Sequence, residues 1–295
     1  MKSLRIRRGN AAVVAIVMVV VIALLLIAVA SIAIPTHTVT TAVAVPAPIT
    51  VGPPAKIVSP LLVFCAASNK AVLEKIAAAY REETGVEVQF QFGASQTLLA
   101  QIDVSRQADL YLPADDSYLA TARDKGLVGE VFNLGKMQGV LAVAAGNPKK
   151  ILAFDDLLSD EVRLSQANPD AAAIGKVTRD VLQKSNHWDR LAAKSALRSN
   201  VNEAANDLKL GAADAAVLWD VVAKQYPEFE LVTLPELEPV TAVVAVTVAT
   251  VSQQPEEALK FARYLAAEER GQKFYREAGF GPPPPAPPPI PAPAP

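Results

Sequence analysis

Two serines in this chain each follow an apolar strand-like run and a pair of small residues: Leu62-Val63-Phe64-Cys65-Ala66-Ala67-Ser68 and Val88-Gln89-Phe90-Gln91-Phe92-Gly93-Ala94-Ser95. An amphipathic helical pattern begins after each, and a serine at that place can cap the helix that follows. First-turn N-H groups lack intrahelical partners and carry partial positive charge, so two such termini aimed at one point make a site for a dianion without any lysine or arginine. Either serine alone is an ordinary cap. The repetition, 27 positions apart (95 minus 68), is what points to a shared site.

Rival chemistries have less to stand on. Neither serine lies in G-x-S-x-G, and the histidines are His37, in a linker, and His187, in a polar turn, so a serine hydrolase lacks a paired base. The acid pairs Asp115-Asp116 and Asp155-Asp156 read as solvated helix starts. A binder of another small ligand or of a metal ion, using Asp220 and one of those carboxylates, is the alternative that remains open. Cys65 is the sole cysteine and cannot form an internal disulfide; a small buried apolar residue is its simplest role.

The elements that must position the serines follow from hydrophobic spacing. Val72, Leu73, Ile76, Ala77 and Tyr80 predict a helix from Ala71, ended by Thr84-Gly85. Val86, Val88, Phe90 and Phe92 alternate with polar residues, the pattern of a half-buried strand. Leu98, Leu99 and Ile102 mark a second helix, and Ala108-Asp109-Leu110-Tyr111-Leu112 returns as a strand. The order β-α-β-α-β implies a parallel sheet with helices on its faces. The pattern resumes with strands at Val140–Ala145, Arg163–Ala167, Ala215–Trp219 and Val240–Val251, and with helices near 154–158, 174–182, 201–208, 258–266 and 272–278. The reading is a two-lobed α/β fold: residues 61–138 and 239–280 form lobe 1, residues 139–238 form lobe 2, and the chain crosses near Gln138 and again near Pro239. A ligand cleft then lies at the carboxyl ends of the strands, where both serines sit.

The ends of the chain differ from this core. Met1-Lys2-Ser3-Leu4-Arg5-Ile6-Arg7-Arg8 precedes an uncharged apolar run from Ala11 to Ile34, so residues 1–34 read as a signal peptide or transmembrane anchor. The length of the run favours the anchor; Ala28-Val29-Ala30 before Ser31 would suit cleavage. Basic residues ahead of the run keep the amino terminus in the cytoplasm and send the remainder across, to an extracytoplasmic (periplasmic) location. Residues 35–60 form a Pro/Thr/Ala-rich linker, and residues 281–295 a Pro-rich disordered tail that projects as a semi-rigid spike. The net charge of -2 becomes -6 once the four basic residues of the export segment are removed (-2 minus 4), a balance that speaks against nucleic acid as a partner.

Val63-Phe64-Cys65-Ala66-Ala67-Ser68, Phe92-Gly93-Ala94-Ser95-Gln96-Thr97-Leu98, Ala108-Asp109-Leu110-Tyr111-Leu112-Pro113-Ala114-Asp115 and Tyr275-Arg276-Glu277-Ala278-Gly279-Phe280 together resemble the periplasmic molybdate-binding proteins of ABC transporters, within the type II solute-binding proteins. The resemblance runs from about Leu61 to Phe280. It implies a monomeric binding protein, not an enzyme, that needs no cofactor, captures molybdate or tungstate and delivers it to a transporter permease. It also implies that the oxyanion is held through its oxygens by the hydroxyls of Ser68 and Ser95, by second-lobe amides near Ile174 and Val201, and by a tyrosine whose place is taken here by Trp219. An indole donates one hydrogen bond and accepts none. Asp220 beside it adds a carboxylate that would repel a dianion unless it is turned away or paired with a cation.

Overall fold

The computed structural model describes residues 59–285. The export segment, nearly all of the linker and the tail beyond residue 285 lie outside the described residues. Among the described residues no helix is long and apolar enough to cross a membrane.

Nine strands form the sheet: β1 (Leu61–Ala66), β2 (Val88–Gly93), β3 (Leu110–Leu112), β4 (Val128–Ala144), β5 (Leu164–Ala167), β6 (Ser195–Arg198), β7 (Ala215–Trp219), β8 (Phe229–Val232) and β9 (Thr241–Ala249). Their spatial order is β2-β1-β3-β9-β4-β7-β5-β6, with β8 also on β4. β1 runs parallel to β2 and β3, and β5 parallel to β6 and β7, as right-handed β-α-β units require. The parallel pairing expected from the β-α-β-α-β order holds for β1 to β3, while the sheet as a whole is mixed: β9 lies antiparallel to β3 and β4, and β4 antiparallel to β7 and β8.

The 17-residue strand β4 joins the two ends of this order. Gln138 is its last residue to pair with β9, and Gly139 its first to pair with β7, opposite Trp219. A side chain at Gly139 would come within 2.5 Å of Val240 Cγ1, so only glycine lets β9 pass this closely. Gln138 fastens the same point: its amide N-H donates to Asp220 Oδ1 at 3.0 Å, and its side-chain amide reaches the Leu237 and Glu238 carbonyls at 3.1 and 2.9 Å.

Helices cover the faces: α1 (Lys70–Thr84), α2 (Ser95–Ser105), α3 (Ser117–Asp124), α4 (Ala173–Lys184), α5 (Trp188–Lys194), α6 (Val201–Lys209), α7 (Asp220–Ala223), α8 (Pro255–Ala266) and α9 (Gly271–Glu277). α1 buries Val72, Leu73, Ile76 and Tyr80 on one stripe and stops where Gly85 takes a left-handed conformation. β2 alternates as its sequence does, with Phe90 and Phe92 on one face and their rings stacked at 5.0 Å. The first half of β4 escaped the period-2 pattern because register shifts between Val128 and Val131, and again between Asn133 and Gly135, break its alternation. Helix α3 and the four-residue strands β6 and β8 were also absent from the sequence reading.

The first residues of the Pro-rich segment do not project. Gly281 exchanges backbone hydrogen bonds with Lys136 of β4 at 2.9 and 3.0 Å, and Asn133 Nδ2 donates to the Pro285 carbonyl at 2.8 Å.

Candidate functional site

Ser68 and Ser95 are brought together by strand register. Ala66, the last residue of β1, is paired with Gly93, the last residue of β2, and each serine stands two residues further on. Both are buried. Ser68 lies in a single turn of 3-10 helix, Ala67–Asn69, that leads into α1, whereas Ser95 is the first residue of α2.

Neither serine caps a helix, contrary to the expectation from sequence. The residue at the cap position is Asn69 for α1 and Ala94 for α2, and no side-chain cap bond is made at either. The hydroxyl oxygens are used differently. Ser95 Oγ accepts the Ala114 N-H at 3.1 Å, and Ser68 Oγ accepts from Asn69 Nδ2 at 3.3 Å. A hydroxyl whose oxygen is already accepting keeps its proton for a further partner, so both serines are poised as donors.

The other side of the cavity is made by two helix N-termini and a strand end. α4 begins at Ala173 directly on the loop after β5: a side chain at Gly175 would come within 2.2 Å of the Ala167 carbonyl oxygen, so the Ala-Ile-Gly sequence fixes Ile174 over that loop. α6 begins at Val201 and is capped by Asn200, whose Oδ1 accepts the N-H groups of Asn202 and Glu203 at 3.0 and 3.2 Å. That cap leaves the Val201 N-H, like the first-turn N-H groups of α2 and α4, without an intrahelical partner.

These pieces enclose a cavity lined by Ala66, Ala67, Ser68, Gly93, Ala94, Ser95 and Ala114 on one side, and by Ala172, Ala173, Ile174, Asn200, Val201 and Trp219 on the other. All five residues singled out from the sequence line it. Its empty volume, mouth included, is about 220 Å³. No lining residue carries a charged side chain. The alanines and glycine expose backbone to the cavity, so the donors are N-H and O-H groups and the positive end of each helix supplies the field.

Trp219 ends β7 and is fully buried, and its indole Nε1 has no hydrogen-bond partner among the described residues. An orphaned buried N-H costs about 1 to 3 kcal/mol. The neighbouring carboxylate does not face this problem: Asp220 Oδ1 accepts the Gln138 N-H, and its Oδ2 pairs with Lys224 Nζ at 2.7 Å. Asp220 is thus turned to the β4 crossing and does not line the cavity, which removes the repulsion its sequence position threatened and leaves it engaged rather than free for a cation.

Other acids of the motifs have structural work. Buried Asp109 accepts from the Leu62 N-H at 2.8 Å, Ser252 Oγ at 2.6 Å and Gln254 Nε2 at 3.1 Å, binding β1 to the segment after β9. Asp115 follows the cavity residue Ala114; burial pushes its carboxyl above the usual carboxylate range, and hydrogen bonds from Ser117 oppose that shift. Burial likewise raises the Cys65 thiol, which keeps it protonated and unreactive.

Sequence reasoning missed four contributors. Ala114 orients Ser95, and a pattern for Asn200 was available in Asn200-Val201-Asn202-Glu203, the spacing of a capped helix start. Two hydrogen bonds that cross the cavity had no sequence signal: Gln96 N-H to the Ala171 carbonyl and Asn202 Nδ2 to the Ala67 carbonyl, each 3.0 Å.

A mixed sheet with helix N-termini converging on a small, uncharged, donor-lined cavity is the build of a solute receptor, and the chain belongs to the family of bacterial extracellular solute-binding proteins, which residues 61–281 match. It is 28% identical over 227 residues to the molybdate-binding protein ModA of Mycobacterium tuberculosis, an alignment covering 76% of this chain and 85% of that protein. Among solved structures it is similar to the periplasmic molybdate-binding protein of Azotobacter vinelandii, with a TM-score of 0.64 and 20% identity over 75% of this chain and 98% of that one. It is also similar to the sulfate-binding protein SubI of Mycobacterium tuberculosis, with a TM-score of 0.62 and 20% identity over 75% of this chain and 86% of that one. At such identities the structural likenesses show the fold, a periplasmic binding-protein fold, and not the ligand.

Proposed function

We propose that this chain is the extracytoplasmic receptor of an ABC import system and captures a fully deprotonated tetrahedral oxyanion, molybdate or tungstate, in the cavity between Ser68, Ser95, Ile174, Val201 and Trp219. The observation that carries this reading is a cavity with no charged lining residue, bordered by two serine hydroxyls and the first turns of α2, α4 and α6, with the buried Nε1 of its lining residue Trp219 left without a partner among the described residues. Such a cavity suits a ligand made of acceptors.

The energetics agree in sign. A dianion leaving water for a site without counter-charge is desolvated at high cost, and it is held only if each oxygen finds donors. Hydrogen bonds to a charged group contribute about 1.5 to 3 kcal/mol each, and six or so fixed donors suffice. Each serine hydroxyl accepts one hydrogen bond within the protein and keeps its proton to donate, and the indole and amide N-H groups donate only. Among unprotonated ions, size selects, since fixed donors suit one set of oxygen positions.

The molybdate-binding relatives favour molybdate over sulfate as the cargo. In the same reading, residues 61–138 with 239–280 and residues 139–238 act as two lobes that close on the ion through the β4 and β9 crossings, the protein works as a monomer that hands cargo to a permease, and residues 1–34 serve as its export signal or membrane anchor. A thermal-shift panel with molybdate, tungstate, sulfate and phosphate tests it. A ligand at 100 times its dissociation constant raises stability by about 2.7 kcal/mol. Stabilisation by the two metal oxyanions supports the reading, and stabilisation by none of the four overturns it.

A further inference from the structure

We propose that Asn202 is a positioning residue of this cavity, a latch that holds the N-terminus of α6 against the end of β1 and thereby sets how long the ligand stays; this rests on the oxyanion reading above. Asn202 is not one of the lining residues, yet its backbone and side chain tie together two that are. Its side-chain Nδ2 donates to the Ala67 carbonyl at 3.0 Å, across 135 positions of sequence. Its own N-H is held by Asn200 Oδ1 at 3.0 Å. Asn202 is therefore fixed at both ends, and the residue before it, Val201, is set relative to the residue after Ala67, Ser68. The first of those presents a free first-turn N-H and the second a hydroxyl.

A second bond spans the same gap on the other side of the cavity, from the Gln96 N-H at the start of α2 to the Ala171 carbonyl just before α4, also at 3.0 Å. The two bonds differ in one respect that matters. The Gln96 bond is made by backbone alone and belongs to any sequence with this fold, whereas the Asn202 bond depends on one side chain. Neither bond involves an ionisable group, so this latch works alike across pH and salt. Opening the cavity requires breaking both, and ligand exit requires opening.

The consequence is kinetic. Most differences in affinity among variants of one site lie in dissociation, and a hydrogen bond worth about 1 kcal/mol corresponds to a change of roughly fivefold. The experiment uses the full-length chain in detergent and follows molybdate release by stopped-flow chase, for the wild type, Asn202→Ala and Asn202→Leu. The Leu variant keeps nearly the size of the side chain without a donor or a charge, which guards against a packing defect in the Ala variant. Both variants should release molybdate about five times faster, with association and the molybdate-free melting temperature little changed. Release at the wild-type rate in both folded variants overturns the latch and leaves the oxyanion reading intact. If the wild type binds no molybdate, that reading falls, and amide exchange at Ser68 and Val201 judges the latch by itself: faster exchange in Asn202→Leu upholds it, and unchanged exchange overturns it.

Discussion

Ala66 on β1 is the register partner of Gly93 on β2. Each is the last residue of its strand, so the chain leaves the sheet twice at the same level and places a serine two residues beyond each exit. Parallel pairing makes this possible, because only parallel neighbours bring two carboxyl ends side by side. A repeat that looks like coincidence in one dimension becomes a pair of hydroxyls at one mouth.

Replacing Ser68 or Ser95 with alanine should weaken molybdate binding by about 1 to 3 kcal/mol each. Ser95→Ala also strands the Ala114 N-H and Ser68→Ala the buried side-chain amide of Asn69, so a loss of stability should accompany each, although neither hydroxyl caps a helix. Calorimetry and thermal denaturation of the same samples separate the two effects. Wild-type affinity in both variants would count against the site.

Trp219→Phe removes the orphaned N-H and keeps most of the ring. It should therefore cost affinity without costing stability, and it can raise stability in the absence of ligand because a buried unpaired donor is gone. Trp219→Tyr should retain binding through its hydroxyl. In a Trp188→Phe background, molybdate should change the Trp219 emission, and a spectrum indifferent to saturating ligand would place Trp219 in the core alone.

Gly175→Ala should disturb the site from behind. Its Cβ would meet the Ala167 carbonyl oxygen at 2.2 Å, and since that atom is backbone the start of α4 must move. Overpacking of this kind costs about 1 to 3 kcal/mol of stability, and the displaced Ile174 N-H should lower affinity as well. An unaltered melting temperature would show that α4 is not seated on this loop.

The Asp115 carboxyl is raised by burial, so in the folded protein it binds a proton more readily than in the unfolded chain. Such a group contributes stability that is present at low pH and is lost as pH rises through its folded-state pKa. Asp115→Asn keeps an acceptor for Ser117 and removes the buried charge. The variant should be more stable than the wild type at neutral pH, and the gain should shrink toward about pH 4, where free aspartate itself begins to be protonated. A gain that grows on acidification would contradict the sign.

Much of this site was written in local sequence, and the part that was not is tertiary. The two strand-to-serine runs are legible because strand, small residues and helix start occupy consecutive positions. Ile174, Val201 and Trp219 came from family resemblance, since nothing near Trp219 in sequence says that its indole will be left without a partner. The β-α-β-α-β order was legible for β1 to β3, while β9 runs antiparallel between β3 and β4 because the chain returns to the first sheet from the far side, which periodicity cannot report. The bulges of β4 hid its first half for a physical reason: each shifts the inward face by one residue. Asn202 and Gln96 gave no sign at all, as their partners lie far away in the chain.

The most direct measurement is isothermal titration of the full-length protein with molybdate, and in parallel with sulfate and phosphate. Molybdate should bind at one site per chain, at least about tenfold more tightly than sulfate or phosphate. Sulfate or phosphate binding as tight as molybdate would contradict selection by fixed donor positions, and a molybdate isotherm without heat would contradict the oxyanion site itself.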